Sequence, residues 1–316
     1  ISVDFAKLMV ETVQGADWCV YGKNGADVTT WCMRVAREYT GRKKVLLIRG
    51  AYHGAQAWST PSHGGIIEED RSHIHFFEWN NLESFTSLVE QYKGQIACVM
   101  LTPHHHPIFT DNLLPAPDWW STIQKVCKQE GILIISDDVR CGFRLHHNGS
   151  HVYYGYDPDM VCFSKAIANT YPISAATGKK ALLETAGKVL FTGTFFSSIV
   201  PMAASIATIN ELKAINAVEY MNRIGKMLWT GLEDLAKSHG LQVTMSGPYV
   251  IPFMRFTNEK NFLRKQLFSA EAARRGVIFH PHHNWFMSCA HTEEDVKKSL
   301  EVADVCYKIV KDKFGS

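Results

Sequence analysis

The sequence predicts an α/β protein, a mostly parallel central sheet flanked by helices, followed by a smaller C-terminal α+β domain. Three observations predict it. Short runs such as Lys44-Val-Leu-Leu-Ile48 and Ile96-Ala-Cys-Val-Met-Leu101 are continuously apolar instead of alternating, as strands covered on both faces must be. Amphipathic helical stretches alternate with those runs. After about residue 205 the texture changes to a long helical segment and a few short strands. The expected division is therefore 1–205 for a large domain and 206–316 for a small one.

Helix 2–13 opens the chain, with Phe5, Leu8, Met9 and Val13 on one face. An apolar stretch at 18–21 leads into the Gly-containing turn Lys23-Asn24-Gly25-Ala26 and then helix 27–39, where Val28, Trp31, Cys32, Val35, Ala36 and Tyr39 fall at helical spacing. Strand 44–48 follows, and helix 82–92 precedes strand 96–101. Helix 117–129 precedes strand 131–136, and strand 160–163 leads to Lys165. A long helix over about 201–238 then runs into Gly240–Pro248, strand 250–256, helix 262–275, strand 277–279 and a final helix 293–312. The start at Ile1, without Met and directly in a helix, leads us to expect an N-terminal segment before it.

Bulk composition excludes several classes. The 316 residues carry a formal net charge of +2, from 33 basic and 31 acidic side chains, so nothing favours a nucleic acid or an anionic membrane as partner. No apolar stretch reaches the roughly 18–20 residues that span a bilayer, and no secretory signal pattern is present. The eight cysteines are scattered without a Cys-x-x-Cys pair, which suits reduced thiols and a cytoplasmic location. Asn148-Gly149-Ser150 matches a glycosylation acceptor, but without a secretory signal the match has little weight.

The chemistry is carried by Lys165, in Val161-Cys-Phe-Ser-Lys-Ala166, and by Asp137, which ends the run Gly131-Ile-Leu-Ile-Ile-Ser-Asp. A lysine just past one buried strand and a carboxylate at the end of another are what pyridoxal 5'-phosphate needs: the amine forms a Schiff base with the cofactor aldehyde, and the carboxylate keeps the pyridine nitrogen protonated. In open α/β sheets ligands gather at the carboxyl ends of the strands. Asn24-Gly25-Ala26 before a helix forms a candidate phosphate cradle. Tyr52, in Tyr52-His53-Gly54, can lie flat on a pyridine ring, Val139 can press on its other face, and Thr194 in Thr192-Gly193-Thr194 can donate a hydroxyl to a phosphate.

Taken in order, these motifs, together with Asp137-Asp138-Val139-Arg140-Cys141-Gly142-Phe143-Arg144 and the C-terminal Ser288-Cys-Ala-His-Thr-Glu-Glu-Asp295, resemble the class III (ω-type) aminotransferases, and most closely their glutamate-1-semialdehyde aminomutase-like branch. The resemblance covers essentially the whole chain. It implies the pyridoxal-phosphate fold-type I architecture and a homodimer with active sites at the subunit interface. It implies Lys165 and Asp137 as catalytic residues, Tyr52 and Val139 as the two sides of a ring sandwich, and Asn24, Gly25, Ala26 and His53 in the cofactor-binding set. Thr194 then reaches the phosphate of the neighbouring subunit's cofactor. Relatives also carry roughly a hundred residues ahead of this start.

The chain departs from the family pattern at several places. The usual Ser-Gly-Thr phosphate turn is Asn24-Gly25-Ala26, without hydroxyls, and the usual Asp-Glu pair is Asp137-Asp138. A family Glu-Pro is Thr102-Pro103, followed by His104-His105-His106 and Pro107-Ile-Phe-Thr, so an unusual substrate is expected. Adjacent histidines in an extended segment point in opposite directions, which argues against a metal at His104–His106 or at the His280-Pro-His-His283 run. They and Trp58 are read instead as candidate substrate-pocket residues, and with Tyr249, Phe253 and Trp285 they suggest a roomy, partly aromatic pocket. The expected function is transfer of an amino group from an amino acid or amine to a keto acid, for an aromatic or bulky substrate. An aminomutase, a racemase and a non-catalytic relative acting as a binding subunit are the alternatives.

Overall fold

The computed structural model describes every residue except Ile108, Asn258, Lys260 and Ser316; Ile108, part of the divergent run after the three histidines, thus lies outside the described residues. The chain divides into two compact units, Ile1–His105 with Pro115–Ile215, and His106–Leu114 with Asn216–Ser316. Residue 205, where the sequence texture changes, lies inside a helix that belongs whole to the first unit.

In the first unit, helix α1 (Ser2–Thr12) is followed by β1 (Trp18–Gly22), α2 (Gly25–Thr40), β2 (Lys44–Ile48), β3 (Ile74–Phe77) and α3 (Leu82–Gln91). Then come β4 (Ile96–Leu101), α4 (Trp119–Glu130), β5 (Leu133–Asp137), α5 (Ser150–Tyr154), β6 (Met160–Phe163), β7 (Ser174–Gly178), α6 (Leu183–Lys188) and α7 (Ile199–Ala214). The strands form one seven-stranded sheet in the order β1-β7-β6-β5-β4-β2-β3. Its pairings are parallel from β6 to β3, and β7 alone runs antiparallel to its neighbours β1 and β6.

The continuous apolar runs have the expected cause. Val45, Leu47, Cys98, Met100 and Ile135 pack with Val28, Trp31 and Cys32 of α2. Leu46, Ile48, Val99, Leu101 and Ile134 face the other way, onto Phe85 of α3 and Trp119 and Ile123 of α4. Successive residues of one strand thus enter two different cores, so a polar side chain inside them must find a partner, as Ser136 does with the Tyr156 hydroxyl at 2.7 Å. Strand β7 escapes an apolar-run reading because it is Ser-Ala-Ala-Thr-Gly, all small. Close packing requires that: a Cβ on Gly178 would run into the Trp18 indole.

The second unit contains α8 (Ala217–Ser238), the antiparallel pair β8 (Val243–Ser246) and β9 (Phe253–Phe256), α9 (Leu263–Arg274) and α10 (Glu293–Phe314). The single helix expected over 201–238 is thus two, because the chain turns at Asn216 with φ 49, a conformation asparagine tolerates better than most residues. Residues 277–279, expected as a strand, pair with no other strand among the described residues. The C-terminal signature is in part a helix cap. Thr292 Oγ1 accepts from Asp295 N at 3.1 Å while the Asp295 carboxylate accepts from Thr292 N at 2.8 Å, the reciprocal arrangement that satisfies two orphan donors.

One buried cation stands out in the second unit. Lys265 is fully buried, its ammonium donating to the Met254 carbonyl and lying 3.8 Å above the Phe253 ring. Burial pushes its pKa down to about 7, against the attraction of Asp111 and Glu259. The unfolded chain, with an ordinary lysine, then binds more protons than the folded one between about pH 7 and 10, so stability rises with pH across that window. Urea unfolding at pH 7 and pH 9.5 should show a gain of roughly 1–3 kcal/mol for the native chain relative to Lys265→Met. An identical pH dependence in the two proteins would contradict the assignment.

Candidate active site

All parallel strands of the sheet end at one edge, and the polar residues of interest follow those ends. Tyr52 and His53 come after β2, His104 and His105 after β4, Asp137 closes β5, and Lys165 comes two residues after β6. In the β5–β6 ladder Asp137 stands opposite Cys162, so the carboxylate and the lysine leave the sheet from adjacent strands.

Asp137 is buried, and its Oδ2 lies 2.8 Å from His53 Nδ1, which is buried as well. An ionised carboxylate only accepts hydrogen bonds, so His53 carries the proton on Nδ1. Oδ1 accepts from the Val139 amide at 3.2 Å, and the carboxylate keeps lone-pair capacity for a further donor. Its neighbour Asp138 points elsewhere: Oδ2 accepts from Ser150 N at 2.8 Å, and burial raises its carboxyl to about 7 in spite of that bond.

The loop carrying His53 is fastened to the start of α2. Thr29 Oγ1 donates to the His53 carbonyl at 2.7 Å, His53 N donates to the Ser59 carbonyl at 3.0 Å, and Trp58 Nε1 donates to Thr30 Oγ1 at 3.2 Å. Gly54, at φ +135, lets the loop lie directly on α2, because a Cβ there would sit 2.6 Å from the Ala26 Cβ. The Asp27 carboxylate accepts from Lys23 N at 3.0 Å and Asn24 N at 2.7 Å. That bonding shapes the turn and leaves the Gly25 and Ala26 amides as first-turn donors without helical acceptors. Val139 packs against Gly25: a Cβ on that glycine would stand 3.0 Å from both valine methyls. Val139, the α2 start and Asp137 are therefore contiguous.

Lys165 has φ 48, outside the ordinary regions for a residue with a side chain, at the head of a 3₁₀ turn over Lys165–Ala168. The turn is anchored by Ser164 Oγ, which donates to the Ile173 carbonyl at 2.8 Å. Backbone strain of this kind costs on the order of 1–3 kcal/mol and persists where surrounding structure enforces it. Lys165 taken as a whole residue is exposed. Its amine is nevertheless sheltered enough that burial lowers its pKa, with Asp137 acting against and Arg144 and Arg140 acting in the same direction.

The other sequence candidates fall in several places. His104 is buried, its Nδ1 3.3 Å from the Tyr154 hydroxyl and its carbonyl accepting from Thr102 Oγ1 and Arg140 Nη2. His105 is buried beside Trp79, and burial pushes its imidazole down to about 4, helped by Arg140 and His53. His106 belongs to the second unit, against Phe253 and His283. Trp58 packs in the α2-side core. Tyr52 is 56% exposed, and Asn24 and Thr194 are exposed as well. Two features escaped the sequence reading: the His53–Asp137 pair and the guanidinium groups of Arg140 and Arg144 beside Lys165. Their signal was present in the Tyr-His-Gly and Asp137–Arg144 motifs, but a contact 84 positions apart cannot be read from spacing.

Among the described residues no group of three or more His, Cys, Asp or Glu side chains is arranged to hold a metal, and no helix is long and apolar enough to cross a membrane. The residues present do fit pyridoxal phosphate. A carboxylate with spare acceptor capacity, an amine that makes no ion pair, and a helix start with free amides match its ring nitrogen, aldehyde and phosphate.

Comparison with known proteins points the same way. The family description "Aminotransferase class-III" matches residues 2–298. Aminopentol aminotransferase of Sphingopyxis macrogoltabida is 38% identical over 100% of this chain and 75% of its own length. The 3-aminobutyryl-CoA aminotransferase of Cloacimonas acidaminovorans is 30% identical over 93% of this chain and 72% of its own. The structure of the PLP internal aldimine form of FumI from Sphingopyxis sp. MTA144 superposes with a TM-score of 0.98 at 38% identity, covering 100% of this chain and 76% of that one.

The Gly54–Ala26 approach is open to test. Gly54→Ala should destabilise the protein by about 2–4 kcal/mol, since the new methyl meets α2 and the φ is unfavourable, and should weaken cofactor retention. Thermal unfolding and cofactor content after dialysis measure both, and a native-like result in each would contradict the packing described.

Proposed function

This chain belongs to the class-III aminotransferases, and within that family we propose which residues perform the reaction and on what kind of substrate. It is a pyridoxal-phosphate-dependent aminotransferase of fold-type I. The proposed donor is a bulky or aromatic amine or amino acid, and the acceptor a keto acid. The relative named for an aminopentol supports a large amine, and the aminotransferase names of both relatives favour transfer between molecules over an aminomutase or racemase.

Bound pyridoxal phosphate supplies an electron sink that acidifies the substrate Cα–H and a carbon that carries the amino group between half-reactions. Asp137 is the proposed partner of the ring nitrogen, with His53 donating to its Oδ2 and fixing its orientation. The Gly25 and Ala26 amides, with the Asn24 side-chain amide, bind the phosphate; Val139 and Tyr52 cover the ring faces. Lys165 would hold the cofactor between turnovers. Its freed amine would take the proton from the substrate Cα and return it two atoms away, across the amino nitrogen, and a pKa lowered by burial favours the neutral form this requires.

The observation that carries the reading is the convergence, at one sheet edge, of an amine without an ion pair and a buried, histidine-held carboxylate. We further propose a cytoplasmic homodimer. Its support is an apolar surface at Leu190, Phe195, Ile199 and Val200, exposed by 58–73%, next to Thr194, the residue proposed to reach the partner's cofactor. Sedimentation should report a dimer, and a monomer at micromolar concentration would contradict that part.

Half-reaction spectroscopy tests the chemistry. A bulky amine should convert the visible band of the loaded protein to the amine form of the cofactor, and a keto acid should restore it. Lys165→Ala should slow both steps by at least about a thousandfold, as expected when a general acid–base that also holds the cofactor is lost. Conversion at the native rate in that variant would exclude Lys165 as the reacting lysine.

A further inference from the structure

Arg140 follows Val139 at the turn after β5, and the reaction residues above leave it without a task. Its Nη2 donates to the His104 carbonyl at 2.9 Å, which fixes the guanidinium. Its Nε is buried and has no hydrogen-bond partner. Among the described residues no carboxylate forms an ion pair with it, although Asp137 and Asp138 are three and two positions away; these face His53 and Ser150 instead. The guanidinium also faces the thiol of Cys141, which burial holds protonated, pushed up to about 11. Its charge is felt at both the Lys165 amine and the His105 imidazole, lowering each. Arg140 is thus a held, partly desolvated cation beside the reacting amine, with no anion of its own.

A partly buried guanidinium without a counter-ion carries some desolvation cost, and a ligand anion relieves it. The fork of N–H donors suits a planar carboxylate. The phosphate of the cofactor is assigned to the Gly25–Ala26 amides, so the anion due at Arg140 is a different one. We propose that Arg140 is the carboxylate receptor of this active site, its guanidinium binding the carboxylate of the keto-acid acceptor next to Lys165. The carbonyl of His104 and the shell of His105 and Cys141 hold that guanidinium in place. A donor without a carboxylate makes no use of it. One site thereby serves two unlike substrates: an amine admitted by shape, and a keto acid held by charge. This inference rests on Lys165 being the reacting lysine.

The test uses the cofactor-loaded enzyme, with propanoate as an unreactive carboxylate probe and pyruvate as a keto acid. In Arg140→Gln, the propanoate dissociation constant and the KM for pyruvate should each rise at least tenfold. The rate of the half-reaction with a carboxylate-free amine should fall by much less than kcat/KM for pyruvate, and borohydride should still fix the cofactor to Lys165. Arg140→Lys, which keeps the charge and loses the fork, should fall between the two, and it carries the comparison if the glutamine variant does not fold. Equal propanoate affinity in native and variant enzymes would overturn the proposal. So would a variant in which only the pH titration of the visible band moves, because Arg140 would then serve the cofactor's phenolic oxygen. If borohydride instead labels another lysine in the native enzyme, the Lys165 assignment fails, and that outcome is read separately from propanoate affinity.

Discussion

The hydrogen bond between His53 Nδ1 and Asp137 Oδ2, 2.8 Å long and closed to solvent, joins the parts of the first unit that come together at the sheet edge. It ties the end of β5 to the loop after β2, and that loop is tied in turn to α2 through Thr29. A carboxylate in this position is tolerable only if its lone pairs are used. The imidazole and the Val139 amide use some of them, and on the proposed reading the cofactor's ring nitrogen uses another. Sheet, loop and helix start are thereby set in one geometry before any ligand arrives, the preorganisation on which electrostatic catalysis depends.

The lysine shows the complementary constraint. Its positive φ and the anchored 3₁₀ turn hold an amine in a position that a relaxed loop would not choose, and the charge of Arg140 and Arg144 bears on its protonation. Shelter and like charge favour the neutral amine, and Asp137 opposes them. On the proposed reading, that balance suits a group serving as nucleophile toward the cofactor and proton carrier toward the substrate. Strain and desolvation at one residue, supported by a rigid sheet, are how a stable fold carries a reactive site.

Much of this was legible in the sequence, for physical reasons. The strands ending at Ile48, Leu101, Asp137 and Phe163 announce themselves because both faces are buried, and the residues proposed for the chemistry lie just beyond them, where parallel sheets present ligands. Strand β7 was not legible, since it is made of small residues that give no apolar run, and the last of them, Gly178, answers to the Trp18 indole. The break at Asn216 was hidden inside a helical pattern by one residue's φ. The three histidines read as candidate pocket residues, but no local pattern shows that His104 and His105 belong to the first unit and His106 to the second. The bond between His53 and Asp137 and the placement of Arg140 depend on which loops meet, and no local pattern encodes that.

The claim at the centre of this account is that Asp137, held by His53, governs the ring nitrogen of the bound cofactor. Nitrogen-15 NMR of the enzyme loaded with ring-labelled pyridoxal phosphate measures it directly. The account predicts a protonated ring nitrogen in the native enzyme and an unprotonated one in Asp137→Ala. An unprotonated nitrogen in the native enzyme, or one whose protonation survives the loss of Asp137, would contradict it.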